Sequence, residues 1–188
     1  MLTAGHCLQT NYSGWYTCGP GGACRPYNTG IQGNRYYGAS DNGILRVDAH
    51  YAAVPGGWNL HPGYWNWSVS GLSTVRGYYV NGTDIEIGAV VCKNGRTTAT
   101  TCGHVESNNN PYPLDDPANG NPVTQNMLLI RNMCVQGGDS GSPVTRADSE
   151  IAVGIISSGR CGEYGLTEGS AEPVGRALAQ HGVAIYGC

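Results

Sequence analysis

Gln136-Gly137-Gly138-Asp139-Ser140-Gly141-Ser142-Pro143 sets one serine among glycines and beside an aspartate. A serine hydroxyl is a weak nucleophile at neutral pH and needs a base to take its proton. Two other segments supply the missing chemistry, and all three stand in the chain order His, Asp, Ser. Thr3-Ala4-Gly5-His6-Cys7 offers an imidazole, whose ordinary pKa lies close to working pH. Ser40-Asp41-Asn42-Gly43-Ile44-Leu45 offers a carboxylate to fix the imidazole tautomer and stabilise the imidazolium. Asp48, in Val47-Asp48-Ala49-His50, competes for that role; Asp41 is preferred because Asp-x-Gly-Ile-Leu places it at the entrance of a strand. The glycines before Ser140 let backbone N–H groups converge on one point, as an oxyanion hole requires.

Outward from these segments, the chain reads as an all-β protein. Its 188 residues include 30 glycines, 10 prolines and no phenylalanine, which opposes a helical bundle and favours short strands joined by tight turns. Strand-like runs fall at Ile85 to Cys92, Thr97 to Val105, Met127 to Ile130 and Ile151 to Ile156. Residues 107–125 are rich in Asn, Pro and Asp and are predicted to form a loop, and 51–72 a connecting segment or an insertion. One helix is predicted, over Glu172 to Gln180, with a proline near its start and His181-Gly182 as its stop; a last strand follows at Val183 to Tyr186.

Charge is sparse: 12% of residues are charged, the net charge is −3, and Lys93 is the one lysine. Phosphate neutralisation needs clustered Lys and Arg, so nucleic acid and anionic lipid are excluded as partners. No run of 18 apolar residues is present to span a bilayer, and no basic-then-apolar leader is visible at the start of the chain. The eight cysteines lack the CxxC spacing of a zinc site and read as a disulfide framework, which places the protein in an oxidising, extracellular setting. His50, His61, His104 and His181 show no mutual spacing suited to a metal, so neither a metal nor another cofactor is expected.

Thr3-Ala4-Gly5-His6-Cys7 together with Gly138-Asp139-Ser140-Gly141 resembles the paired motifs of the chymotrypsin-like serine peptidases. More narrowly, the chain resembles the secreted bacterial branch of streptogrisins and α-lytic protease. Val91-Cys92-Lys93-Asn94-Gly95-Arg96-Thr97-Thr98 with Thr101-Cys102-Gly103 is similar to that branch's disulfide-closed hairpin. Ile130-Arg131-Asn132-Met133-Cys134 is similar to the entry to its nucleophile loop, and Gly154-Ile155-Ile156-Ser157-Ser158-Gly159 to its substrate-pairing strand. The resemblance implies two packed antiparallel Greek-key barrels with a C-terminal helix. Residues 1–72 would form an N-terminal barrel carrying His6 and Asp41, and residues 73–188 a C-terminal barrel carrying Ser140 and the pocket. The family has a few tens of residues before its histidine motif, so the first barrel is expected to be incomplete.

Carried over residue by residue, the resemblance implies His6 as general base, Asp41 as its orienting carboxylate and Ser140 as nucleophile. The N–H groups of Gly138 and Ser140 would form the oxyanion hole. Ser157, Ser158 and Gly159 would pair with a polypeptide substrate by β-augmentation. Cys92–Cys102 and Cys134–Cys161 are the implied bridges, and Lys93 is the implied cation for a buried Asp139. Asn132, Met133, Val135, Gln136 and Ile156 would line the pocket for the P1 side chain. A pocket without charge favours an apolar P1 residue. Glu168 is the exception, a carboxylate that could draw Arg or Lys. The function implied is that of a secreted, monomeric serine endopeptidase. The alternative is a non-catalytic fragment or polymer-binding module that keeps the motifs and presents the aromatic cluster of Tyr51 to Trp67.

Overall fold

The structure, a computed structural model, describes residues 2–3, 15–18, 24–27, 50–51, 63–115, 122–182 and 184–185, with side-chain surroundings for 63–113 and 126–180. Four short strands come first: β1 (Leu2–Thr3), β2 (Trp15–Cys18), β3 (Cys24–Tyr27) and β4 (His50–Tyr51). β1 pairs with β4 and β2 with β3, both antiparallel. A hairpin of β5 (Gly63–Asn66) and β6 (Gly71–Thr74) follows, then β7 (Gly77–Tyr78). The main sheet adds β8 (Val90–Gly95), β9 (Ala99–Asp115), β10 (Pro122–Arg131), β11 (Pro143–Arg146), β12 (Ile151–Glu163) and β13 (Leu166–Pro173). One helix, α1 (Val174–His181), closes the described chain.

The strands run in the order β11-β8-β9-β10-β13-β12, and β11 also pairs with β12, so these six close into an antiparallel barrel. Every strand of the ring turns an apolar residue inward. Val91, Val105, Leu128, Ile130, Val144, Val153, Ile156 and Ala171 form one buried cluster with Ile85, Met133 and Val135. Burying a side chain of this size contributes roughly 1.5–3 kcal/mol, which makes the cluster the main stabilising feature of the barrel. Strands β8, β9 and β10 follow one another, and β11 returns to lie beside β8. That is a Greek key, and its long crossing connection is residues 132–142. The segment that carries Ser140 is thus the crossing itself.

Four sequence expectations change. Residues 51–72, read as a connecting segment or an insertion, carry β5 and the start of β6, paired as a hairpin. Residues 107–115 and 122–125 are not loop: they extend β9 and β10 into a long paired arm, with Val123 opposite Leu114 and Gln125 opposite Tyr112. Their polar, proline-containing composition suits strands that pair with each other outside the core. The run from Ile85 is turn until β8 begins at Val90, and β8 continues past Cys92 to Gly95. Of the predicted last strand, Val183 to Tyr186, the described residues Ala184 and Ile185 lie in no strand, and the other two lie outside the described residues.

The helix begins after Pro173 and buries Val174, Ala177 and Leu178, packing with Val75 and Ala152. Gly175 is where backbone meets backbone: a Cβ there would lie 2.1 Å from the carbonyl oxygen of Val80 and 2.4 Å from that of Tyr79. Gly→Ala within a helix ordinarily stabilises by about 1 kcal/mol. Here the clash reverses the sign, and Gly175→Ala is expected to cost about 1–3 kcal/mol. A urea midpoint equal to or above that of the wild type would refute the close approach.

Candidate active site

Ser140 stands on the crossing connection, half-buried, and its Oγ donates to the carbonyl of Ser157 at 3.1 Å. The β12–β13 register passes from Ile156–Ala171 to Ser158–Ser170, leaving Ser157 as the extra residue of a bulge beside Ser140. Two backbone bonds staple the residues after Ser140 to the same strand. Gly141 N–H donates to Ile156 O at 2.8 Å, and Ile156 N–H donates to Ser142 O at 2.9 Å.

Before Ser140 the loop is fixed by a buried ion pair. Lys93 Nζ lies 3.3 Å from Asp139 Oδ2, and both side chains are fully buried. Asp139 Oδ1 accepts from Thr97 N–H at 2.8 Å and Thr98 N–H at 3.1 Å. Its Oδ2 accepts from Gln136 N–H at 3.1 Å and from the Thr98 hydroxyl at 2.6 Å. Lys93 Nζ in turn donates to Thr98 Oγ1 at 2.5 Å and to Ala99 O at 3.2 Å. Asp139 therefore joins the β8–β9 turn to the nucleophile loop, and every buried charge has partners, as burial demands. Two disulfides brace the lock: Cys92–Cys102 clamps the base of the hairpin, and Cys134–Cys161 ties the loop entrance to β12.

Burial pushes the Asp139 carboxyl up, but the hydrogen bonds from Thr98, Gln136 and Thr97 outweigh it and hold the group below the ordinary 3.8. Burial also lowers the pKa of Lys93, offset in part by Asp139. A carboxyl depressed by folding contributes stability above its unfolded pKa and loses it as pH falls through the folded value. Stability is thus expected to decline from about pH 3.8 downward. Melting temperatures from pH 2 to 6 check this, and the double variant Lys93→Met/Asp139→Asn should show a shallower decline. Parallel curves for the two proteins would reject the assignment.

Around the strand beside Ser140, Met133 and Ile156 are fully buried and Val135 nearly so. Val135 packs between two glycines. A Cβ on Gly159 would lie 2.6 Å from Val135 Cβ, and one on Gly169 would lie 3.0 Å from Val135 Cγ2. Asn132, expected in the pocket, is exposed, with its N–H donating to Thr167 O at 2.8 Å; Gln136 is exposed as well. Ser158 Oγ lies 2.7 Å from the hydroxyl of Tyr112 on the long arm, a contact no sequence motif announced. Glu168 is held by Arg131, and by Arg160 at 2.7 Å, the pair flanking it on β10 and β12. His6 and Asp41 lie outside the described residues, as do the pairings of Cys7, Cys18, Cys24 and Cys188.

A closed six-stranded barrel whose Greek-key crossing carries Gly-Asp-Ser-Gly beside a bulged strand is the architecture of the chymotrypsin-like proteases. Cellulomonas bogoriensis chymotrypsin shares this fold, with a TM-score of 0.65 at 23% identity, over 100% of this chain and 85% of that one. Streptogrisin-D of Streptomyces griseus is 28% identical over 186 residues, covering 98% of this chain and 41% of that protein. Serine protease 1 of Rarobacter faecitabidus is 32% identical over 158 residues, covering 84% of this chain and 26% of that protein. The chain thus spans less than half the length of either relative. No family model matches it. Within the chymotrypsin fold, the chain is similar to these serine proteases over most of its own length.

Proposed function

We propose that the protein is a secreted serine endopeptidase acting through Ser140, His6 and Asp41. His6 takes the Ser140 proton as Oγ attacks the substrate carbonyl, and Asp41 holds the imidazole in the required tautomer. The N–H groups of Gly138 and Ser140 bind the oxyanion of the tetrahedral intermediate. His6 then protonates the leaving amine, and water releases the acyl group by the same path in reverse. Ser157 to Gly159 align the substrate by adding it as a strand. The observation that carries this reading is the anchored loop. Asp139 and two disulfides hold Ser140 against Ser157, in the part of the chain where the sequence sets nucleophile and oxyanion donors together.

The residues expected around the P1 side chain, Met133, Val135 and Ile156, are apolar, which favours an apolar P1 residue. Glu168 already has two guanidinium partners, so it offers little to a cationic P1 residue. The disulfides suit an oxidising, extracellular setting, and no helix among the described residues is long and apolar enough to cross a membrane. The enzyme acts as a monomer.

The test is labelling by a fluorophosphonate probe of the chain produced under oxidising conditions, followed by peptide mapping and P1 profiling. Modification at Ser140 with turnover of peptide amides supports the proposal. Binding of a polysaccharide or other polymer without any labelling would favour the non-catalytic module instead.

A further inference from the structure

The amides of the nucleophile loop are unevenly used. Gln136 N–H donates to Asp139 Oδ2, Asp139 N–H to Gln136 O, Gly141 N–H to Ile156 O and Ser142 N–H to Asp139 O. Gly138 N–H donates to no acceptor among the described residues. The peptide that carries it joins Gly137 to Gly138, and glycine at both ends lets that peptide turn over at little steric cost. Its neighbours are fixed, since Asp139 is held by Lys93 and four hydrogen bonds and Cys134 by a disulfide. The orientation of this one peptide therefore needs a restraint of its own.

Thr97 supplies it. Its hydroxyl donates to Gly137 O at 2.8 Å, while its N–H is anchored on Asp139 Oδ1 at 2.8 Å. No cis peptide is present among the described residues, and in a trans peptide the C=O and the following N–H point in opposite directions. Holding Gly137 O against the β8–β9 turn therefore turns Gly138 N–H away from that turn. Gly138 has φ +96°, and a Cβ on it would lie 2.5 Å from Thr97 Oγ1, so hydroxyl and glycine fit only as a pair. We propose that Thr97 is a positioning residue for the oxyanion site, setting the Gly137–Gly138 peptide so that Gly138 N–H faces the reacting carbonyl. This rests on the peptidase reading above.

The test compares the wild-type chain with Thr97→Val, which keeps the shape and removes the hydroxyl, and with Thr97→Ser, which restores it. Thr97 is exposed, so its replacement opens no core cavity. With a peptide amide substrate, Thr97→Val is expected to lower kcat about five- to tenfold, the scale of one neutral hydrogen bond. KM should stay within about twofold, the melting temperature should fall by no more than a few degrees, and Thr97→Ser should recover most of kcat. Complete loss of an oxyanion donor costs about 10²–10³, so the smaller figure reports a shifted population rather than a missing group. Crystal structures of wild type and Thr97→Val should show the Gly137 carbonyl reoriented in the variant. An unmoved carbonyl, an unchanged kcat, or a loss that follows melting temperature and resists Thr97→Ser would overturn the proposal. A wild-type chain that never reacts at Ser140 would sink the peptidase reading instead, and the two crystal structures would still decide the role of Thr97.

Discussion

Exchanging Ser140 for alanine is expected to lower kcat about a million-fold while leaving fold and substrate affinity intact. Removal of a triad serine has an effect of that order, because the remaining groups no longer act as a unit. The proposed oxyanion donors and substrate strand would persist and should retain about 10³–10⁴ of acceleration over water. Ser140 is half-buried and donates one hydrogen bond to Ser157, so its loss removes little packing. Circular dichroism and the melting temperature should therefore match the wild type. Hydrolysis measured against active-site-titrated enzyme decides the matter, and a variant within about a hundredfold of wild type would remove Ser140 from the nucleophilic role.

Lys93→Met should be the most destabilising single change. The substitution leaves Asp139 ionised and fully buried with no countercharge, and breaking such a pair from one side costs about 3–5 kcal/mol. Against a typical domain stability of about 5–15 kcal/mol, that is a large share. Four hydrogen bonds to Asp139 survive, which places the loss within that range instead of beyond it. Adding Asp139→Asn removes the stranded charge and should recover part of the loss. Urea unfolding of the wild type, the single variant and the double variant measures this. A single-variant loss below 1 kcal/mol would contradict the pair's importance.

The anchoring of the Ser140 loop was legible from the sequence because it depends on residue type and order. One lysine in the chain, an aspartate beside Ser140 and the cysteines Cys92, Cys102, Cys134 and Cys161 are visible without coordinates, and the structure pairs them as expected. His6 and Asp41 lie outside the described residues. The helix announced itself through Pro173 and Gly182 in the same way. What stayed hidden depends on register. Glu168 could not be assigned its arginines until β10 and β12 were set on either side of β13. Thr97 and Thr98 sit in a run of threonines with no motif character, yet the turn brings them against a loop some 40 residues away. The β9–β10 arm was missed because its composition is that of a loop, and only mutual pairing makes it a strand pair.

Under the proposed function, the placement of Ser140 on the Greek-key crossing governs when the chemistry can arise during folding. Lys93, Thr97 and Thr98 belong to one hairpin, Asp139 and Ser140 to the crossing, and Ser157 to a strand beyond it. Contacts of such sequence separation form late, since the entropy of closing long loops must be overcome first. A nascent or partly unravelled chain can hold its hairpins without holding a competent serine. Under that function, active-site titration during refolding should report on ring closure, and a half-folded molecule would have no complete site with which to cut its neighbours.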